Sequence, residues 1–597
     1  MLLASLSSMG ARFRAALAAI TIVVPFVFLA AFALVPLLQQ GVGSFYNWFE
    51  FRPSTFAGVN NYAQLFADPV ARIAAVHTLE YVALTVPLEV GLGLAGAWLT
   101  LQVRRGRGLL ATLFVLPLVV PWPGTTTLFL GIFAQDGVLN GLRAHLLGTH
   151  QPVLWFQNPA SAFAVIMIIG IWKGTPWCYL LLLGALGTSP VEVFEAGRMD
   201  GARGVSFWLH VVLPSVRPML VFVTVFRVLA EAQTFTSVSL LTQGGPINGT
   251  ELTPYYSYQL AFQYFQFGTA SAMGTLLGAA LLLVAVVGIS WIYGTPNTVA
   301  RVLTFPAKMV TPLGAACRTV SERVLEHRRS SSNARWSSAG LPPRWRAASS
   351  ATWNHRASVG LVVTLAIMAV LPFVGGLPNG AEIPDTSLPW STIASSLWNS
   401  VVVTLATVLG TLLLAVPAAY VLARVKFRLR RALFLVVLVT LAIPGVVLLL
   451  PQYQEIAWLG LINTRVGLVL LYIAANLPLA VFFLRPAFAS VPEELVESMR
   501  VDGASTSRIV VRLLVPLSMS TIVAVAVFVV MLAWSELPLA VTLINSPSLY
   551  TLPVLIAMNI GGLGVLGASW ISMAPPLLLF LVCQRTFRRG LLSRALL

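Results

Sequence analysis

Near residues 15–38, 75–101, 109–133, 160–186, 218–242 and 270–293, the sequence runs through windows with almost no charge. It does so again near 358–376, 398–423, 432–452, 466–487, 518–543 and 567–584. Each window holds about twenty residues, enough for a helix to cross roughly 30 Å of hydrocarbon. Composition agrees with that reading. Hydrophobic residues make up 57% of the 597 and charged residues 10%, against roughly 25% charged in a soluble domain. Mean hydropathy is +0.85. The expected fold class is an all-α membrane protein of about twelve transmembrane helices.

A formal net charge of +17 would suit nucleic acid, but the basic residues sit in short loops between apolar windows. Arg104, Arg105 and Arg107 follow the second window, Arg424, Lys426, Arg428, Arg430 and Arg431 the eighth, and Arg585, Arg588, Arg589 and Arg594 the twelfth. The loops at 243–269, 377–397 and 544–566 contain no Lys or Arg. Positive charge collects on cytoplasmic loops, so both termini are expected in the cytoplasm and no nucleic acid is implied. The apolar run that starts after Arg12 and Arg14 contains Ala31-Phe32-Ala33, which is like a signal-peptidase site. It exceeds the 7–15 residues of a signal h-region, so an uncleaved first span is expected. Cys178, Cys317 and Cys583 show no paired spacing, which supports neither a disulfide framework nor a metal site. The segment 294–357 is rich in Arg, Ser and Pro and reads as a partly disordered cytoplasmic linker, either a simple joint or a lipid-binding arm. It separates two like-oriented halves, 1–293 and 358–597. That is a parallel repeat, with any translocation path at the interface between them.

Two polar islands, near 188–215 and 490–517, repeat one another. Pro190, Glu195, Asp200, Gly201 and Pro214 recur 302 positions later as Pro492, Glu497, Asp502, Gly503 and Pro516. The prolines suit helix starts and the acids suit a first helical turn. The glycines suit a sharp turn, and the aspartates are placed to cap a second short helix. Each island is therefore expected to be a helix–turn–helix under the bilayer.

These islands resemble the EAA motif of ATP-binding cassette (ABC) importer permeases, in the Asp-Gly-Ala form typical of carbohydrate and glycerol-phosphate importers. Gly197, Ser498-Met499 and Ser520 (against Pro218) depart from the pattern. Leu241-Thr242-Gln243-Gly244-Gly245-Pro246 with Thr250 is similar to F-type sugar permeases. Asn399-Ser400, Ile443-Pro444, Asn463-Thr464 and Trp534-Ser535-Glu536 are similar to their G-type partners. The resemblance implies both subunits fused in one chain of a bacterial inner membrane, importing a di- or oligosaccharide or a glycerol-phosphate-like solute. It also implies two cytosolic ABC ATPase subunits coupled through Glu195, Asp200, Gly201, Glu497, Asp502 and Gly503, and an extracytoplasmic solute-binding protein. ATP and Mg would belong to the ATPase subunits, and this chain would bind no cofactor.

No Gly-rich turn ends in Lys-Ser or Lys-Thr, so no P-loop is present and the chain is not expected to hydrolyse ATP. Ionisable residues within spans are functional candidates. Arg227 and Glu231 stand four apart, able to pair on one helix face; Glu89, Lys173 and Glu536 are the others. Trp172, Trp177 and Trp534 are candidates to stack on sugar rings. Trp172, Lys173, Arg227, Glu231, Trp534 and Glu536 together form the candidate substrate path. The competing reading is that paired charges fix packing and tryptophans anchor span ends. Two alternative functions remain: a fused ferric-iron or thiamine permease, and a secondary transporter of six plus six spans.

Overall fold

The computed structural model describes residues 23–49, 52–103, 107–148, 151–293, 388–443, 445–559 and 565–587. The linker, the seventh expected span and both chain ends lie outside these residues. Among the described residues, helix dominates the other apolar windows. In the first half these helices are α1 (Val35–Gly43), which ends a helical run from Val23, α2 (Pro69–Gln102), α3 (Arg107–Val119), α4 (Trp122–Phe133) and α5 (Pro159–Thr188). There follow α6 (Val191–Met199), α7 (Leu213–Glu231), α8 (Thr236–Leu241), α9 (Thr253–Phe262) and α10 (Phe267–Tyr293). The second half runs α11 (Trp390–Arg424), α12 (Arg430–Ala442), α13 (Leu449–Trp458), α14 (Arg465–Ala489) and α15 (Glu493–Val501). It closes with α16 (Met519–Ser535), α17 (Pro538–Leu543), α18 (Leu552–Met558) and α19 (Val565–Phe587). A two-stranded antiparallel hairpin follows α1, with β1 (Tyr46–Phe49) paired to β2 (Arg52–Phe56).

Seven helices among the described residues are long and apolar enough to cross a membrane unaided, and three bent pairs raise the count to ten. The bent pairs fall at the third, ninth and eleventh windows. The third turns by 103° between α3 and α4. Pro121 stands there in an extended conformation and has no N–H to give the carbonyl of Pro117, four residues back. The ninth turns by 92° after Ile443, which is extended because Pro444 follows it. The eleventh turns by 81° at Ser518, whereas the matching stretch of the first half runs unbroken through Pro218.

The halves exchange elements. Phe26 and Leu29 of the first span sit in the apolar core of α11 and α14 with Val408, Tyr420 and Leu477. Val527 and Met531 of α16 enter the core built on α2, α3 and α5. Polar contacts cross as well: Ser569 of α19 donates to Thr127 at 2.9 Å, and Gln452 to the carbonyl of Phe32 at 3.0 Å. Each half also uses a hydroxyl to hold its short helix after the fifth span. Thr78 accepts the Thr253 N–H at 2.9 Å, and Ser400 accepts the Leu552 N–H at 2.8 Å.

Candidate functional site

Both islands form the expected helix–turn–helix. Pro190 and Pro492 begin the first short helices, α6 and α15. The turn repeats atom for atom. Gly201 and Gly503 adopt φ of +81° and +72°, the left-handed region that favours glycine. Ala202 N–H reaches the Gly197 carbonyl at 3.0 Å and Gly201 N–H that of Arg198 at 3.1 Å. Ala504 and Gly503 do the same to Met499 and Arg500 at 2.9 and 3.0 Å. This paired closure ends a helix at a left-handed glycine. It corrects the expected role of the aspartates. Asp200 and Asp502 are the C-terminal capping residues just past α6 and α15, while Arg203 and Ser505 precede the second helices without a side-chain cap. The glycine stops the first helix, so the residue before it lies too early to cap the next.

A wide turn then follows in each copy, where Leu213 N–H bonds back five residues to Trp208 and Val515 to Val510. The inner face is anchored in the core of α2, α3 and α5 by Phe194 and Phe207 in one copy, and buries Val496 and Ile509 in the other. Gly197 departs from alanine because a Cβ there would come within 2.5 Å of Val211. On the outer face the repeat shows again. Val193 and Leu495 are 42% and 43% exposed, and Met199 and Val501 both 87%. Glu195 is half-buried and Glu497 exposed, and neither forms an ion pair among the described residues.

The second candidate region is a cavity of about 270 Å³ between the halves, just below the roughly 300–1,000 Å³ of small-molecule sites. Trp122, Lys173, Trp177, Phe226, Arg227, Glu231, Gln233, Thr234 and Ser237 line it from the first half. Phe528, Met531 and Ser535 line it from the second. Trp177 stacks on Phe528 across the interface with ring centroids 5.3 Å apart.

The structure brings together three of the six path residues at this cavity: Lys173, Arg227 and Glu231. Arg227 and Glu231 pair as their spacing implied, and both also meet Glu89 from α2. Arg227 Nε and Nη2 donate to the two Glu89 oxygens at 2.7 and 3.2 Å, Nη2 also contacts Glu231, and Thr234 donates to Glu231 at 3.2 Å. All three charged side chains are buried. Gly174 is required here, since a Cβ would collide with the Glu89 carboxylate and Arg227. Lys173 donates to the carbonyls of Pro117 (2.9 Å), Leu118 (3.4 Å) and, more closely, Val120. It thereby supplies donors to the carbonyls left open at the break between α3 and α4, and its ammonium lies 5.6 Å from the Trp122 ring. Among the described residues Ser237 Oγ is buried without a hydrogen-bond partner, and no sequence signal singled it out.

The other three path residues lie elsewhere. Trp172 packs edge-on against Phe129, and Trp534 donates from its indole to the Ser572 carbonyl at 2.9 Å. Glu536 accepts from Tyr472 at 2.6 Å and from the Leu539 and Ala540 N–H groups at 2.7 and 3.2 Å, capping α17.

The segments that resemble sugar permeases have structural work. Asn399 donates to the carbonyls of Ser548 and Tyr550, and Asn463 accepts the N–H groups of Asn545 and Ser546. Thr250 donates to the Gly245 carbonyl at 2.7 Å. Beside it Glu251, 2% exposed, has its carboxyl pushed up to about 8 by burial.

The chain is similar to the probable ABC transporter permease protein YesP of Bacillus subtilis, 31% identical over 251 residues that cover 41% of this chain and 80% of that protein. It is similar also to the sulfoquinovosyl glycerol transport system permease protein SmoG of Agrobacterium fabrum, at 30% over 39% of this chain and 76% of that protein. The lactose transport system permease protein LacF of Rhizobium radiobacter matches at 28% over 44% and 89%. A crystal structure of a bacterial alginate ABC transporter, in complex with an alginate pentasaccharide-bound periplasmic protein, aligns with 44% of this chain and 89% of that chain. The identity there is 18% and the TM-score 0.39. The description "binding-protein-dependent transport system inner membrane component" matches residues 90–294 and again 412–590, one match in each half; the chain therefore belongs to that family, as a multi-pass ABC transporter permease carrying the domain twice.

Proposed function

We propose that this chain is the fused membrane core of a sugar importer, with halves 1–293 and 358–597 joined by the linker 294–357. Two ABC ATPase subunits would dock on the islands, and a solute-binding protein would deliver sugar from the opposite side. Both termini would then lie in the cytoplasm of a bacterium bounded by this inner membrane, with lipid around the spans and ATP and Mg held by the ATPase subunits. The observation that carries the reading is the matched outer face of the islands. Val193 with Met199, and Leu495 with Val501, present apolar side chains to solvent at register-equivalent positions, each beside a glutamate without an ion pair among the described residues. Exposed apolar surface rimmed by polar groups marks a protein interface, and two copies call for two partners or one symmetric pair. Docking residues would be Glu195, Asp200, Gly201, Glu497, Asp502 and Gly503, with the glycines setting the turn.

For the solute, the cavity offers aromatic walls from Trp122, Trp177 and Phe528 and the free hydroxyl of Ser237, while its charges are engaged by one another or by backbone carbonyls. Such a lining suits a neutral polyhydroxylated ring, and names such as lactose permease among the relatives point the same way. Charge reversal at Glu195 or Glu497 is expected to weaken ATPase co-purification and cut uptake while leaving the melting profile unchanged; wild-type uptake in both variants would sink the docking reading. A thermal-shift screen of the cognate binding protein decides the solute, with ferric iron or thiamine as the outcomes that replace sugar.

A further inference from the structure

We propose that Arg424 is the positioning residue of the second docking element, a guanidinium clamp that fixes the angle at which α15 leaves α14. The inference rests on the docking role of the islands. Arg424 is the last residue of α11, and its side chain is 6% exposed. Nε and Nη2 donate to the Phe488 carbonyl at 3.0 and 2.7 Å, and Nη2 also reaches the Val491 carbonyl. Nη1 donates to Glu493 at 2.5 Å. These three acceptors straddle the joint: Phe488 is in the last turn of α14, Val491 lies between the helices, and Glu493 is the first residue of α15.

The end of α14 leaves carbonyls without intrahelical donors, and a cation is favoured at that pole of the dipole. A planar fork with several N–H groups suits three acceptors in a way that one ammonium does not. At the matching positions the first half carries neither residue of this pair. α2 and α11 end alike, with Val103 and Val425 as extended capping residues. The residue matching Arg424 is thus Gln102, and the one matching Glu493 is Val191. There the inner face of the island packs on Trp98, whose ring centroid is 5.7 Å from that of Phe194 and 5.3 Å from that of Trp208. The matching positions in the second half are Tyr420, Val496 and Val510. The clamp and its acid occur together, in the copy whose inner face is mainly aliphatic.

The test uses the full chain in nanodiscs, with Cys178, Cys317 and Cys583 replaced by alanine. A nitroxide is attached at Val501→Cys, or at Met199→Cys as the control in the other island. Arg424→Gln is expected to enlarge the mobile spectral component at position 501 and to leave position 199 unchanged. Arg424→Lys should restore the position 501 spectrum only in part, and Glu493→Gln should shift it less than Arg424→Gln does. Wild-type spectra at 501 in Arg424→Gln overturn the proposal. If Arg424→Gln does not assemble, Arg424→Lys decides: a wild-type spectrum overturns, and a mobile one supports. A full effect from Glu493→Gln alone also overturns it, because the carbonyl contacts would then contribute nothing. With the ATPase subunits that co-purify from native membranes, unlabelled Arg424→Gln should lower permease-stimulated kcat on the order of tenfold while KM for ATP stays within about twofold. An unchanged kcat refutes the positioning role. If no ATPase subunit co-purifies with the wild-type chain, the docking reading fails and the position 501 spectra still decide the clamp.

Discussion

Replacing Lys173 with methionine keeps the aliphatic stem and deletes only the ammonium. In the wild type that group donates to Pro117 at 2.9 Å and to Val120 at shorter range, with Leu118 at 3.4 Å too long to count fully. Pro121 leaves the first of these carbonyls without its helical donor, and the lysine is 7% exposed, so bulk water does not replace it. Leaving two buried carbonyls unsatisfied costs about 1–3 kcal/mol each, roughly 2–6 kcal/mol in all. Removing the desolvation penalty of a buried cation, itself several kcal/mol, offsets part of this. The expected net loss is about 3 kcal/mol, a change of roughly 10²-fold in the unfolding equilibrium. Equilibrium unfolding by steric trapping in bicelles, with tags on α2 and α5, measures it directly. Lys173→Arg retains donors and should recover at least half of the loss. If Lys173→Met matches wild-type stability to within about 0.5 kcal/mol and instead abolishes uptake, the lysine serves the solute rather than the helix break, and the reasoning is refuted.

Three other outcomes are expected. Gly174→Ala places a methyl against Glu89 and Arg227 and should cost about 1–3 kcal/mol; an unchanged melting temperature would contradict the close approach of α2, α5 and α7. Glu251 has its folded value raised to about 8, so the stability it contributes is fully present below the ordinary carboxylate range and is lost as pH rises through that value. Melting of wild type from about pH 5 to about pH 9 should decline, and Glu251→Gln should flatten the decline. Glu536→Ala removes the acceptor that caps α17 and holds Tyr472; hydrogen exchange at 539–543 should quicken, with about 1–2 kcal/mol lost.

What the sequence made legible is what local chemistry controls. Apolar windows became helices, and the spacing of Pro190, Gly201 and Pro214 became a helix–turn–helix because each residue acts on the backbone next to it. The pairing of Arg227 with Glu231 was readable for the same reason, since four positions make one helical turn. Glu89, 138 residues from Arg227, completes the cluster through tertiary packing that no local spacing encodes. Lys173 read as a solute ligand because its acceptors are backbone carbonyls more than fifty positions away, exposed only by a helix break that the apolar pattern does not show. Asp200 read as a cap because aspartate favours that role, but the left-handed glycine beside it closes the preceding helix first. Trp534 and Glu536 look functional by residue type. Their partners, Ser572 and the start of α17, show them stabilising the break after α16.

The exchange of the first span has a consequence for how the protein is made. Phe26 and Leu29 find their packing surface on α11 and α14, more than 350 residues further along the chain. A ribosome adding about 5–20 residues per second delivers the first span to the bilayer well before that surface exists. During this interval the face carrying Phe26 and Leu29 has lipid for its neighbour, and the helix must be stable without that packing. Its sequence fits that wait: between Val23 and Leu38 it has no charged residue on any face. The finished protein keeps Val23, Val24 and Val27 turned outward, so the surface that serves the span while it is alone serves it again as the boundary with lipid.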